Sequence, residues 1–352
     1  MAAHLNLLIL PGDGIGPEIT KAARRVADAA AEPDGLRLTW ETRDIGFAAL
    51  KSEGTTIPDE VIAAARAADG VVLGPVSHNE YPPVSEGGRN PSGVLRRELE
   101  LFANIRPALT RGGETGPLGP VDLVIVRENL EGFYADRTMH VGTGEVMPIP
   151  GLALATRKIT AEGSARIARA AFELAKGRAN PRVTAVHKAN VLRVSDGLFL
   201  DQVRNIAAEF PDIPYDEELV DAAAALLVRG PSRFDTIVTT NMFGDILSDL
   251  ASELAGGLGM AASLNRGMHD AVAQAQHGSA PDLAGQDRAN PVSLIASTAM
   301  LLAHLGQSGP ARRIETALEA TLKNPATRTA DLGGSLGTSA FTDALIETMS
   351  TT

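Results

Sequence analysis

Two aspartates, Asp245 and Asp249, stand four residues apart in Asn241-Met242-Phe243-Gly244-Asp245-Ile246-Leu247-Ser248-Asp249. On a helix that spacing puts both carboxylates on one face, where like charges cost roughly 0.2–0.5 kcal/mol. A divalent cation with oxygen ligands, Mg²⁺ or Mn²⁺, would relieve the repulsion. Two solvated acids explain the pair equally well when it is taken alone. Asp245, read as lying near the helix start, would also gain from the helix dipole. Arg96, Arg106 and Arg127 supply the opposite charge. Arg127 closes an apolar strand, Val121 to Arg127, where a guanidinium is costly without an anionic partner. The guanidinium fork suits bidentate recognition of carboxylates. Surface ion pairing is the ordinary alternative, expected for Arg97 and Arg111. Lys188 follows a strand in His187-Lys188-Ala189-Asn190. A cleft there would lower its pKa and make it a base, although a solvent-facing lysine is commoner.

Two Gly-containing segments could bring backbone close to a ligand. Gly12-Asp13-Gly14-Ile15-Gly16-Pro17-Glu18 lies between a strand and a helix. Its third glycine comes one residue too early for the dinucleotide fingerprint. Alone it reads as an ordinary strand-to-helix turn. His277-Gly278-Ser279-Ala280-Pro281-Asp282, followed by Asn290, has small residues that would let N–H groups meet phosphate or ribose. Asp282 would accept from a ribose diol and repel a 2′-phosphate. A plain Gly/Pro loop is the alternative.

The elements that must position these groups alternate. Strand patterns at Leu5 to Leu10, Leu36 to Glu41, Val71 to Gly74, Arg182 to His187 and Thr236 to Thr240 are separated by helical ones. The helices are expected at Ile19 to Ala31, Pro58 to Ala68, Val94 to Phe102, Thr160 to Lys176, Asp221 to Val228, Asp245 to Leu254, Ser293 to Leu305 and Ala311 to Lys323. This order predicts an α/β fold with a largely parallel sheet. Residues 74–93, rich in Pro, Gly, Ser and Asn, read as a long loop of functional interest.

The chain has 352 residues and a net charge of −11, which speaks against nucleic acid as the main partner. It has no cysteine, so thiolate metal sites, disulfides and cysteine nucleophiles are excluded. No apolar run approaches the ~20 residues of a membrane span, and no secretory pattern opens the chain. A cytoplasmic location is the expectation.

Taken in order, these motifs resemble the β-decarboxylating dehydrogenases, which act on isopropylmalate, isocitrate, homoisocitrate or tartrate/D-malate. The resemblance runs from Gly12–Glu18 through Leu95-Arg96-Arg97, Asn104-Ile105-Arg106-Pro107, Val126–Asn129, His187–Asn190, Asn241–Asp249 and His277–Asp282 to Arg328–Gly334. It implies a non-Rossmann, two-domain α/β fold. One discontinuous cofactor-side domain would take 1–101 plus 257–352. A substrate, metal and dimerisation domain would take 102–256, with an arm at about 134–160. It implies a homodimer with shared active sites and a small hydroxy-dicarboxylate or tricarboxylate substrate. It implies NAD, with Ile15, Ser77, His277, Gly278, Ser279, Ala280, Asp282 and Asn290 at the cofactor. Asp282 matches the Asp of NAD-dependent members, where NADP-dependent isocitrate dehydrogenases carry Lys. Arg96, Arg106 and Arg127 would clamp the malate carboxylates. Asp245 and Asp249, with Asp221 of the other subunit, would hold Mg²⁺ or Mn²⁺. Lys188, also from the partner, would take the hydroxyl proton. Tyr134 would protonate the enol after CO₂ leaves. A non-catalytic regulatory subunit is the alternative class, but such subunits typically lose residues that this chain keeps.

Two departures stand out. Isopropylmalate dehydrogenases commonly carry Leu just before the first arginine, whereas this chain has Asn90 and Ser92. Polar groups facing a branched alkyl group cost free energy. An isocitrate- or homoisocitrate-like substrate is therefore favoured over isopropylmalate, tartrate or D-malate. Gln274 stands where the family usually carries Glu.

Overall fold

The computed structural model describes residues 4–112, 118–134, 139 and 144–351. The first stretch forms β1 (His4–Leu10), α1 (Gly16–Ala31), β2 (Arg37–Thr42), α2 (Phe47–Glu53), α3 (Asp59–Ala67), β3 (Gly70–Leu73) and α4 (Pro91–Glu98). The middle forms β4 (Ala103–Leu109), β5 (Asp122–Glu128), β6 (Glu145–Ile149), β7 (Leu152–Ala155), α5 (Ala161–Ala175), β8 (Val183–His187), α6 (Ser195–Ala207), β9 (Tyr215–Leu219), α7 (Val220–Arg229), β10 (Thr236–Thr239) and α8 (Asn241–Ala255). The last stretch forms β11 (Leu264–Arg266), β12 (Ala271–Gln274), α9 (Val292–His304), α10 (Ser308–Lys323) and α11 (Thr338–Thr351).

One sheet of ten strands runs β2-β1-β3-β12-β11-β4-β5-β10-β8-β9. The two flanks, β2-β1-β3-β12 and β5-β10-β8-β9, are parallel. Antiparallel pairings of β11 and β4 join them. The inner flank strands β3, β8 and β10 are short and fully buried, as expected where helices cover both faces, whereas the outer strands β2 and β9 are polar and partly exposed. The apolar core divides along the sequence. Two clusters draw on residues 8–101 and 262–349. Two others draw on 102–255. The strands β6 and β7 form a separate hairpin. Parts of the expected arm, residues 135–138 and 140–143, lie outside the described residues. Among the described residues no helix is long and apolar enough to cross a membrane.

Three expectations need correction. The helix expected at Val94 to Phe102 is α4, ending at Glu98. It starts early because Asn90 Oδ1 accepts from Gly93 N at 3.2 Å and Pro91 opens the first turn. It stops where Glu100 takes φ +48°. The helix carrying Asp245 begins at Asn241, so Asp245 lies in the second turn and the dipole does little for it. Arg111 is buried against Glu315, not on the surface.

Candidate active site

The chemistry-bearing residues leave the sheet at the carboxyl ends of its parallel strands, where open α/β sheets bind ligands. Arg127 is the penultimate residue of β5, α8 follows β10, Lys188 follows β8, and Asp221 follows β9. In the other flank, the Gly12–Gly16 turn follows β1, Ser77 lies beyond β3, and His277 to Ala280 lies beyond β12.

A pocket of about 270 Å³ gathers Asn90, Ser92, Arg96, Arg106, Arg127, Tyr134 and Asp245 on one side and Gln274, His277 and Gly278 on the other. Arg127 is fully buried, and its Nε and Nη2 donate to Asn241 Oδ1 at 3.0 and 2.8 Å. Its Nη1 pairs with Asp245, the anionic partner that its burial demands. Gly244 makes room, since a Cβ there would sit 2.6 Å from Arg127 Cγ. Arg106 Nη1 donates to Asp245 at 3.1 Å, Ser248 at 2.7 Å and Asp249 at 3.2 Å. The Tyr134 hydroxyl donates to Asp245 Oδ2 at 3.3 Å. Burial, then the charge of Arg127, pulls the Arg106 pKa down to about 10, so it stays cationic at neutral pH. Burial works against ionisation of Asp245, but the arginines prevail and hold its carboxyl below the usual range. Burial pushes the Asp249 carboxyl up.

The cofactor-side loops are stitched together. Ile15 N donates to Ser279 O at 2.9 Å, and the Ser77 and Ser279 hydroxyls meet at 2.7 Å. Gly14 has φ +57°, and a Cβ there would lie 1.9 Å from Ser279 O. The glycines of the turn therefore serve loop-to-loop packing, with the phosphate-cradle role unneeded to explain them. His277 Nδ1 lies 2.9 Å from Gly278 O, which makes it the protonated nitrogen. Its Nε2, shut from solvent, is left as an acceptor with no hydrogen-bond partner among the described residues. Burial pushes the pKa of this ring down. Ala280 adopts φ +40° and Asp282 is exposed. Asn290 is committed within the protein. Its Oδ1 accepts from Val292 N at 3.0 Å and its Nδ2 donates to Asp331 at 2.8 Å.

Lys188 and Asp221 pair with each other, and neither lines the pocket. The Lys188 hydrogen bond holds the Asp221 carboxyl below its ordinary range. Fully buried Asp196 accepts the Lys188 N–H at 2.6 Å and fixes the turn. Among the described residues no three acids or histidines of one chain cluster as metal ligands.

Sequence reasoning missed Asp13. This buried carboxylate accepts from Phe47 N and Ser77 N, both at 2.9 Å, and from the Tyr81 hydroxyl. Burial and then that hydrogen bond raise the Tyr81 pKa. A short acid between two turn glycines was the available signal. Asn241 was also missed, although it heads the aspartate motif.

This fold and pocket define an α/β class in which an arginine-lined anion site meets a Gly-rich loop junction. The chain belongs to the isocitrate/isopropylmalate dehydrogenase family, whose model matches residues 6–346. It is 42% identical to the 3-isopropylmalate dehydrogenase of Archaeoglobus fulgidus, covering 96% of this chain and 97% of that one. It is 41% identical to the isocitrate/homoisocitrate dehydrogenase of Thermus thermophilus, covering 98% of each. The isocitrate dehydrogenase structure from Methylococcus capsulatus superposes with a TM-score of 0.88 at 40% identity, over 98% of this chain and 99% of that one.

Proposed function

We propose that the protein oxidatively decarboxylates a 3-substituted malate with an isocitrate- or homoisocitrate-like carboxylate substituent, using NAD and a divalent metal. The observation that carries this reading is the polarity of the pocket. Three guanidiniums face one lining carboxylate, Asp245, and the remaining wall near α4 is Asn90, Ser92 and Gly93. Relatives named for isopropylmalate and for isocitrate/homoisocitrate are equally similar, so the lining is what separates the substrates.

The core clusters divide at residues 101 and 255–262, which supports a cofactor-side domain of 1–101 plus 257–352 and a second domain of 102–256. A homodimer fits the exposed apolar side chains of the hairpin, Val146, Met147, Ile149, Leu152 and Leu154, with Val228 and Ile246 on α7 and α8. It also accounts for Lys188 and Asp221 lying outside their own pocket, since they would complete the partner's.

The residues fit the two absent groups. The unpartnered His277 Nε2, the Ser77–Ser279 junction beside Ile15, Gly278 and Ala280, and the exposed Asp282 suit an adenosine with a free ribose diol. Asn290 would act by holding its loop. Asp245 and Asp249 both reach one nitrogen of Arg106, so they converge closely enough to share a cation. Asp221 of the second subunit would supply the third carboxylate. When bound, the metal supplies Lewis acidity and NAD an acceptor for the C2 hydride. Arg96, Arg106 and Arg127 then hold the malate carboxylates. Lys188, as the free amine once it has parted from Asp221 and given up its extra proton, would take the hydroxyl proton during oxidation. Tyr134 returns a proton to carbon after CO₂ departs.

The test is NADH formation with Mn²⁺ present on isocitrate, homoisocitrate, isopropylmalate, D-malate and tartrate, each with NAD⁺ and with NADP⁺. Highest kcat/KM on a carboxylate-bearing substrate with NAD⁺ is expected. Best turnover of isopropylmalate would overturn the substrate class. Silence on all five acids would overturn the catalytic reading.

A further inference from the structure

We infer that Arg157 is a positioning residue for the reaction, acting through Asp196 to hold the turn that carries Lys188. This rests on the shared-site reading above, in which Lys188 serves the partner's pocket. Arg157 stands two residues after β7, at the exit of the hairpin, and neither it nor Asp196 lines the pocket.

A buried guanidinium needs acceptors, and three surround this one. The Arg157 side chain is 9% exposed and that of Asp196 is 0%. Arg157 Nη1 donates to Asp196 Oδ1 and, at 2.9 Å, to Ser195 Oγ. Nη2 donates to Thr240 Oγ1 at 2.9 Å. The guanidinium carbon lies 5.5 Å from the centre of the Phe243 ring. One group thus ties the hairpin exit to the start of α6 and the start of α8.

Asp196 carries this restraint to Lys188. Its Oδ2 accepts the Lys188 N–H at 2.6 Å while its Oδ1 takes Arg157. The turn itself has little packing, since Asn190, Val191, Arg193 and Val194 are exposed in the single chain. Its place therefore depends on Asp196, and a buried carboxylate stripped of its cation is expensive to keep. Without the guanidinium the turn must open to water, which moves the Lys188 amine. A shift of about 1 Å in a reacting group can cost about a hundredfold in rate. The arginines that hold the malate lie on other elements, so binding should be spared.

The guanidinium also reaches Thr240, where α8 begins, and α8 carries Asp245 and Asp249. The two routes end in different pockets. Through Asp196, Arg157 acts on the partner's site; through Thr240, it acts on its own. Mixed dimers of Asp245→Asn and Lys188→Met chains separate them. Their one live site joins the pocket of the Lys188→Met chain to Lys188 of the Asp245→Asn chain. Arg157→Lys keeps a cation beside Asp196 but loses the fork. Placed on the Asp245→Asn chain, it should cut kcat about tenfold or more, with KM for the malate and for NAD⁺ each within about threefold. Placed on the Lys188→Met chain, it should leave kcat within about twofold. Thermal melts check folding. Should Arg157→Lys not fold, Asp196→Asn, of the same size, takes its place with the same expected asymmetry. An equal loss from both placements, or a loss only from the second, would overturn the assignment and leave the shared site standing. Mixed dimers that form but stay inactive would overturn the shared site, and this assignment with it.

Discussion

The Lys188 ammonium and the Asp221 carboxylate are paired where β8 and β9 end, outside the pocket that holds Arg127 and Asp245. Asp221 keeps 64% of its side-chain surface exposed. A surface ion pair of this kind adds little to stability. Its location makes sense if both groups work across an interface. Parting them to meet a second subunit's substrate and cation costs little.

Complementation checks this. Lys188→Met and Asp245→Asn should each be inactive and folded. Mixing the two in equal amounts under subunit exchange should restore about a quarter of wild-type activity, since half the dimers are mixed and each has one intact site. Absence of recovery, with mixed dimers shown to form, would place Lys188 and Asp245 in one subunit's site.

Gly14→Ala would put a methyl group against Ser279 O at a positive φ. The variant should lose about 1–3 kcal/mol of stability in urea unfolding. The displaced loop should raise KM for NAD⁺ more than KM for the malate. An equal rise in both would show that the junction supports the whole pocket.

Much of this arrangement was legible because it is local. Arg127 at the end of an apolar strand demanded an anion, and Asp245 provides it. Asp245 and Asp249 share a helix face as their spacing requires. Other features depend on distant pairing. Strand β4 contains Pro107 and Arg106, and β11 spans only three residues, so neither carries a strong pattern. They pair antiparallel at the centre of the sheet, where sequence alternation suggested parallel neighbours. The Ser92–Gln274 contact spans 182 residues and no local rule reports it. The loop glycines taken alone read as an ordinary strand-to-helix turn, and what no local pattern reports is that Gly12 and Gly14 are required by Pro75 O and Ser279 O.

Two buried groups should tilt stability with pH in opposite directions. His187 Nδ1 accepts from Ala189 N at 3.0 Å, and burial lowers its pKa from 6.5. The folded protein then binds fewer protons than the unfolded chain, so this contribution is complete above pH 6.5 and is lost as pH falls below it. Burial raises Glu128 from 4.5 to about 7, against hydrogen bonds from Leu130 N and Glu131 N. Its contribution is complete below pH 4.5 and is lost as pH rises to about 7. Urea midpoints from pH 5 to 8 should show His187→Asn removing loss on the acid side and Glu128→Gln removing loss toward neutrality. Unchanged pH profiles in both variants would show that neither group titrates with folding.

Gly244 gives a prediction whose sign opposes helix propensity. In the interior of α8, glycine should be worse than alanine by about 0.8–1.0 kcal/mol. Here the added Cβ would lie 2.6 Å from Arg127 Cγ and 2.7 Å from its Cβ. Arg127 cannot yield without breaking its bonds to Asn241 and Asp245, and a buried charge stripped of partners is expensive. Gly244→Ala should therefore destabilise, by about 1–3 kcal/mol for an overpacked site. Displacing the guanidinium should also raise KM for the malate. Gly197 in α6 has open space where a Cβ would go, so Gly197→Ala should show the propensity gain and unchanged kinetics. Urea unfolding of the two variants side by side separates packing from propensity. If both gained stability, the Arg127 cluster would be more yielding than its burial implies. If Gly244→Ala lost stability without any change in KM, Arg127 would hold the fold and not the substrate.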